Sequence, residues 1–515
     1  MLVPLGIGDF LDRAALVYGD REAVADEPAT PGSWGRVTYS ELQRRAWGMA
    51  RALDDMGVGL GERVAIVSPN ASRFLCSFWG VSAYGRILVP VNYRLNAEEV
   101  KYIIGHSGST VVLVDPEFDG AMAGVEAKHR IVLDGVADAA LWAPADEPPP
   151  GGPWLLDEND TASINYTSGT TARPKGVQLT HRNCWLNAAT FGWHMGVNDR
   201  DVYLHTLPMF HCNGWGMPYA VTGMGARHVV IRKIDGEEIL RRVDAEGVTL
   251  MCGAPAVVNA VLDAATTRRQ NGEEVPGRDA VRIVVAGAPP PSKTIERVET
   301  ELGWQFNQIY GLTETAPLLT INRTRAEWDN SDPAERSRLL SRAGAPAVGV
   351  RVRIDPEGEV CARSNVVLAG YWEQPDETDK AIIDGWFHTG DGGYLDGPYV
   401  TISDRKKDVI ITGGENVSSI EVEDAIFQHP AVAEVAVIGV PDEKWGEMVT
   451  ALVVLRPGEE ISAEDLIAFT KGRLAGYKCP KSIEFRDELA RTATGKLQKF
   501  KLRQPFWEGK EKLVN

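Results

Sequence analysis

Residues 163–181 read SINYTSGTTARPKGVQLTH. Thr167, Ser168, Thr170 and Thr171 place four hydroxyls around Gly169, and Lys175 and Gly176 follow after a proline. Small residues let a backbone come close to a ligand. Successive N–H groups and hydroxyls then cradle phosphate oxygens, and a lysine adds a point charge. The spacing is not the GxxxxGK[ST] pattern, because Lys175 stands between a proline and a glycine. Read alone, the string is an anion-binding loop between two apolar runs.

On both sides of this loop the chain alternates strand and helix patterns. Residues 39–56 (YSELQRRAWGMARALDDM) carry apolar residues at helical spacing, while residues 63–67 and 110–115 are short apolar strands. Residues 227–231 and 281–286 are two more strands, the second ending in Gly287-Ala288-Pro289. Turns at the carboxyl ends of strands are where open α/β sheets hold ligands. Residues 348–360 switch to period-two alternation around a turn, which predicts an antiparallel hairpin. Beyond residue 404 the chain restarts, with helices over 420–427 and 463–474 and strands over 432–440 and 449–455. The predicted architecture is α/β: a large layered domain over 1–403 and a small α+β domain over 404–515.

Composition limits the function. The 515 residues carry 54 Lys+Arg against 71 Asp+Glu, a net charge of −17, which argues against a nucleic-acid partner. The six cysteines are scattered with no CxxC pair, so a disulfide framework or structural zinc site is not expected and a reducing, cytoplasmic setting is. The N-terminus lacks the basic start of a signal peptide. Residues 202–226 contain no Asp, Glu, Lys or Arg, but two prolines and several glycines predict a buried, broken segment and no transmembrane span.

The loop resembles the phosphate loop of the adenylate-forming superfamily, which includes acyl-CoA synthetases, adenylation domains of peptide synthetases and luciferases. Ala172 replaces the usual second glycine. Other strings agree in order. Residues 308–314 (QIYGLTE) resemble the YGxTE motif, in which Tyr310 stacks on adenine beside Gly311, Thr313 meets the α-phosphate and Glu314 helps hold magnesium. Gly287, Ala288 and Pro289 match the turn along the adenine. Residues 386–391 (WFHTGD) supply Asp391 to both ribose hydroxyls. Residues 404–408 (DRKKD) resemble a hinge, with Asp404 as pivot and Arg405 on the ribose. Residues 491–496 (RTATGK) end in Lys496, the cation that meets the attacking carboxylate, with Ala490 in place of a proline.

The resemblance implies a two-step ligase. ATP and a carboxylic acid give an acyl-adenylate with Mg2+ held at Thr170 and Glu314, and an acceptor then attacks. Residues 411–417 (ITGGENV), with Gly413, Gly414 and Glu415, and residues 476–480 (GYKCP), with Lys478, resemble segments that meet CoA. A carrier protein in trans, an amine acceptor, or an oxygenase reaction as in the luciferases remain alternatives. Residues 208–215 (PMFHCNGW) resemble an acyl-pocket segment in which His211 lies near the carboxylate and Trp215 gates the channel. The absence of charge there points to an apolar fatty or aryl acid. A homodimer is compatible with the sequence.

Overall fold

The computed structural model describes residues 1–28, 30–150, 157–167, 173–405, 408–412, 415–442, 445–491 and 497–508, and for Asp404, Arg405 and Asn416 the backbone alone. The fold is mixed α/β, with a large N-terminal domain and a smaller C-terminal one.

Two large sheets organise the N-terminal domain. In the first, six strands run parallel in the order Gln305–Tyr310, Arg282–Val285, Leu250–Gly253, Val202–His205, Arg227–Val230 and Glu22–Ala25. The antiparallel strands Thr320–Arg323, Ala345–Pro346 and Arg36–Thr38 extend its edges. In the second, Thr161–Thr167, Ile87–Val91, Arg63–Val67, Ser109–Val114 and His129–Val132 run parallel, followed on one side by antiparallel Lys175–Thr180 and Gly370–Tyr371.

The strands read as unbroken apolar runs because both faces are covered. Val64 and Ile66 point into the central core, while Ala65 and Val67 point to the opposite face. Val284 does the same against Ile283 and Val285. The central core lies between the sheets and is filled from helices Tyr39–Asp55, Ser72–Gly80 and His181–Met195, which contribute Leu42, Met49, Phe74, Phe78, Trp79 and Phe191. Helices Gly236–Glu246 and Pro255–Gln270 cover the outer face of the first sheet, and Ala97–Ser107 covers that of the second. The helix expected over 39–56 spans Tyr39–Asp55 and starts where the Thr38 hydroxyl accepts from the Glu41 amide at 3.2 Å.

The predicted hairpin is Arg351–Ile354 with Glu359–Arg363, part of a third, antiparallel sheet that includes Trp386–Asp396 and Tyr399–Arg405. Asp404 and Arg405 close that sheet's last strand, opposite Gly392 and Asp391, and the next sheet begins at Ile410–Thr412. The C-terminal sheet pairs Val432–Asp442 with Gly446–Leu455, and helices Ser419–Phe427 and Ala463–Lys471 pack on it. The second of these helices stops at Lys471, short of the predicted residue 474, at Gly472.

The charge-free stretch is broken and buried. Strand Val202–His205 leads to a 3-10 segment, Cys212–Gly216, in which Asn213, Gly214 and Trp215 have φ of 52°, 60° and 60°, and then to the buried helix Met217–Gly223. His205 Nε2 lies 2.9 Å from His228 Nδ1, and burial pushes both imidazoles down, His228 to about 3, so both stay neutral. Asn187, fully buried on helix His181–Met195, holds the unusual backbone in place. Its amide nitrogen donates to the Trp215 carbonyl at 3.1 Å and its oxygen accepts from the Leu318 amide at 3.1 Å. Among the described residues, no helix is long and apolar enough to cross a membrane.

Replacing Asn187 by Ala leaves two buried backbone groups without partners. Asn187→Ala is expected to lower stability by about 2–4 kcal/mol, read as a lower urea midpoint at unchanged slope.

Candidate active site

The cleft forms where parallel strands of the first sheet end. Val285 and Gln308 are register partners, so the segments after Arg282–Val285 and Gln305–Tyr310 leave the sheet side by side. The first turns at Gly287, whose φ of 94° favours glycine. The second passes Gly311, where a Cβ would fall 1.5 Å from the Pro317 carbonyl oxygen, so no other residue fits without moving that backbone. The walls are His211, Cys212, Trp215, Gly287, Ile309, Gly311, Leu312 and Thr313. Five residues singled out from three separate strings (His211, Trp215, Gly287, Gly311 and Thr313) therefore share one cleft. His211 is half-buried and Trp215 is 4% exposed.

Two polar links cross from this cleft to the other sheets. The Tyr310 hydroxyl donates to Asp391 Oδ2 at 2.8 Å. Asp391 is buried on strand Trp386–Asp396, and its amide donates to the Thr389 hydroxyl at 3.1 Å. The Tyr371 hydroxyl donates to Glu314 Oε1 at 3.0 Å, and the Leu368 amide donates to the Glu314 carbonyl at 2.8 Å. Burial, and then the adjacent Glu314 carboxylate, raise the Tyr371 pKa, so the phenol keeps its proton and remains a donor.

The hydroxyl-rich loop joins strands Thr161–Thr167 and Lys175–Thr180, with Thr167 and Lys175 as cross-strand partners at its mouth. Ser168, Gly169, Thr170 and Thr171 lie outside the described residues. Lys175 Nζ pairs with the Glu377 carboxylate and sits 4.8 Å from the centre of the Tyr371 ring. Hydrogen bonds from Lys175 and then from Lys380, at 2.7 Å, hold the Glu377 carboxyl down to about 2.

The C-terminal residues are less fully placed. Lys496, Gly413 and Gly414 lie outside the described residues, as do the side chains of Asp404 and Arg405. Glu415 is exposed at the start of strand Glu415–Val417. Lys478 Nζ reaches both oxygens of Glu421 on helix Ser419–Phe427, at 2.7 and 2.8 Å. Ala288 and Pro289 follow Gly287 in the turn toward helix Ser292–Arg297. Tyr371, Glu377 and Asn187 are not singled out by sequence reasoning. Asn187 had one usable signal, an amide side chain on the apolar side of a helix; the other two become visible only through contacts with Glu314 and Lys175, 57 and 202 residues away.

The donor set suits a magnesium nucleotide. An aromatic face, a side-chain-free turn and a carboxylate acceptor match a base and a vicinal diol. The Glu314 carboxylate is a hard oxygen donor of the kind that suits Mg2+ when phosphates supply other ligands.

The family model described as AMP-binding enzyme matches residues 11–372, and that of the AMP-binding enzyme C-terminal domain matches residues 421–496. The chain belongs to the AMP-binding enzyme family. This AMP-binding enzyme is 36% identical to the 2-methylpropanoate–CoA ligase of Humulus lupulus, over 98% of this chain and 94% of that one. It superposes on an anthranilate CoA ligase in complex with anthranoyl-AMP with a TM-score of 0.85 at 25% identity, covering 98% of each chain. ATP-bound MatB from Rhodopseudomonas palustris gives a TM-score of 0.82 at 28% identity, covering 98% of this chain and 99% of that one.

The Tyr310 ring and hydroxyl are separable. Base stacking on an aromatic face is worth about 1–3 kcal/mol. Tyr310→Ala should therefore raise the KM for ATP roughly 10–100-fold, while Tyr310→Phe, which keeps the ring and loses the bond to Asp391, should stay within a few-fold. Equal losses in the two variants would assign the effect to the hydroxyl.

Proposed function

We propose that this enzyme is an ATP-dependent, AMP-forming acid–thiol ligase acting on a carboxylic acid with an apolar acyl or aryl chain and on CoA. The observation that carries the reading is the continuity of an apolar recess (Trp215, Ile309 and Leu312) with the polar strand ends that carry Thr313, Glu314 and the Tyr310–Asp391 pair. The acid's tail fills the recess, and its carboxylate faces the place where the α-phosphate lies. CoA as acceptor is supported by the names of the relatives and by the exposed Glu415 and the half-buried Lys478 on the C-terminal domain.

In the first step a carboxylate oxygen attacks the α-phosphorus and pyrophosphate leaves with the electron pair of the broken P–O bond. Tyr310 and the turn at Gly287 hold the base, Asp391 accepts from the ribose, and Thr313 donates to the α-phosphate. Lys496 offsets the charge shared by the two approaching anions. Mg2+, held by Glu314 and Thr170, would neutralise phosphate charge. In the second step the CoA sulfur attacks the acyl carbon, its proton is lost to solvent, and AMP leaves. His211, on the cleft wall, orients the carboxylate and later the acyl carbonyl. The six cysteines are all buried and free, which suits a reducing compartment such as the cytoplasm.

A panel of short, branched, fatty and aryl acids tests the reading by pyrophosphate release with and without CoA. The expected result is acid-dependent release followed by CoA-dependent thioester. Release without any thioester would move the acceptor to a carrier protein or an amine, and no release with any acid would overturn the reading. Lys496→Ala should slow adenylation about 10²–10³-fold while leaving thioester formation from supplied acyl-adenylate much less affected.

The proposed domain division, 1–403 and 404–515 with Asp404 as pivot, assigns the two steps to two orientations of the C-terminal domain. Among the described contacts between them, the Ser292 amide and hydroxyl donate to Asp424 Oδ1 at 3.0 and 3.3 Å. A disulfide between cysteines introduced at positions 292 and 424 should abolish one half-reaction, spare the other, and release the block on reduction. Full activity in both steps while oxidised would remove the need for reorientation.

A further inference from the structure

A cluster of metal-ligating side chains lies in the third sheet, outside the cleft. Strands Glu359–Arg363 and Trp386–Asp396 set Cys361 opposite His388, and the turn before Glu359 brings Asp355 beside them. One ligand atom from each of Asp355, Cys361 and His388 lies within 4.8 Å of the other two. His388 Nδ1 is 3.5 Å from Cys361 Sγ, 3.9 Å from Asp355 Oδ2 and 3.3 Å from Glu359 Oε2. Ligand atoms around a tetrahedral ion with bonds of 2.0–2.3 Å stand roughly 3.3–3.7 Å apart. The His388–Cys361 separation falls in that range, and the His388–Asp355 separation lies just above it.

Asp355 Oδ1 accepts from the Glu359 amide and Glu359 Oε1 from the Gly390 amide, both at 2.7 Å. The second oxygen of each carboxylate and the thiol sulfur face the His388 imidazole, so S, N and O donors converge on one space. Cys361 is fully buried, the carboxylates of Asp355 and Glu359 are nearly so, and His388 is 20% exposed, which leaves an entry on the imidazole side. Two carboxylates and a thiolate carry three negative charges, matched by a divalent ion and the Arg353 guanidinium near Cys361.

We propose that Asp355, Cys361 and His388 bind a divalent transition metal of the zinc type, with Glu359 beside His388. The mixed S, N and O donors select zinc over magnesium, which takes oxygen alone. Binding releases the Cys361 proton to solvent. Because His388 and Gly390 immediately precede Asp391, the ion would fasten the strand that delivers Asp391 to Tyr310.

Cobalt is the probe, used on the full chain after chelator treatment. Titration with Co2+ should produce tetrahedral d–d bands and a thiolate-to-cobalt charge-transfer band that saturates at one ion per chain and disappears on adding zinc. Cys361→Ser should lose the charge-transfer band, and Asp355→Asn and His388→Gln should weaken uptake. Zinc should raise the melting temperature of the natural chain and not of these variants. The absence of a charge-transfer band in the natural chain at excess cobalt would overturn the proposal without recourse to any variant. A band unchanged in folded Cys361→Ser would overturn it as well, by placing the metal on another cysteine.

Discussion

Burial of both sheet faces is the constraint on which the rest of the structure depends. A strand whose alternate residues all enter hydrophobic cores, as Val64 and Ile66 do on one side and Ala65 and Val67 on the other, has no face left for a ligand. Function is pushed to the strand ends, where parallel strands release their backbones together. The paired exits at Ala286 and Gly311 are that place in the first sheet, and the Thr167–Lys175 hairpin mouth is its counterpart in the second. Both sheets turn polar at these ends, where the described residues place hydroxyls, carboxylates and a lysine.

Those ends would be separate without the cross-links. Tyr310–Asp391 ties the first sheet to the third, and Glu314–Tyr371–Lys175–Glu377 ties it to the second. Each link joins a residue of a recognisable motif to a partner on another sheet. Asn187 does the same within the core, holding Trp215 and the Leu318 segment to one helix. The cleft is thus positioned by long-range polar contacts laid over a packing scheme that is almost entirely apolar.

The division between what the sequence reveals and what it hides follows from range. Local patterns are legible: strand Arg63–Val67 occurs as read, and the broken burial of residues 202–226 follows from its glycines and prolines. Residues from three motifs, His211, Trp215, Gly287, Gly311 and Thr313, line one cleft. The partners that fix them are not legible. Nothing near Tyr371 or Glu377 in the chain hints at Glu314 or Lys175, because no periodicity or spacing encodes a contact across sheets. The strand through Asp404 and Arg405 shows the same limit at finer scale, since DRKKD resembles a hinge while pairing with Gly392 and Asp391 keeps its first two residues extended.

The pairing of Lys175 with Glu377 gives the proposed reaction an anion exchange. Before any nucleotide arrives, the lysine already has a carboxylate counter-ion and an aromatic face, so its charge is never stranded in a half-buried position. In that reading a polyphosphate meeting Lys175 would have to displace Glu377, and only the difference between the two anions would count toward affinity. The same competition would run backwards once the α-phosphate bond is cut: Glu377, tethered nearby, would recapture the lysine and ease the departure of pyrophosphate. An internal competitor of this kind weakens substrate and product binding together and favours turnover over retention.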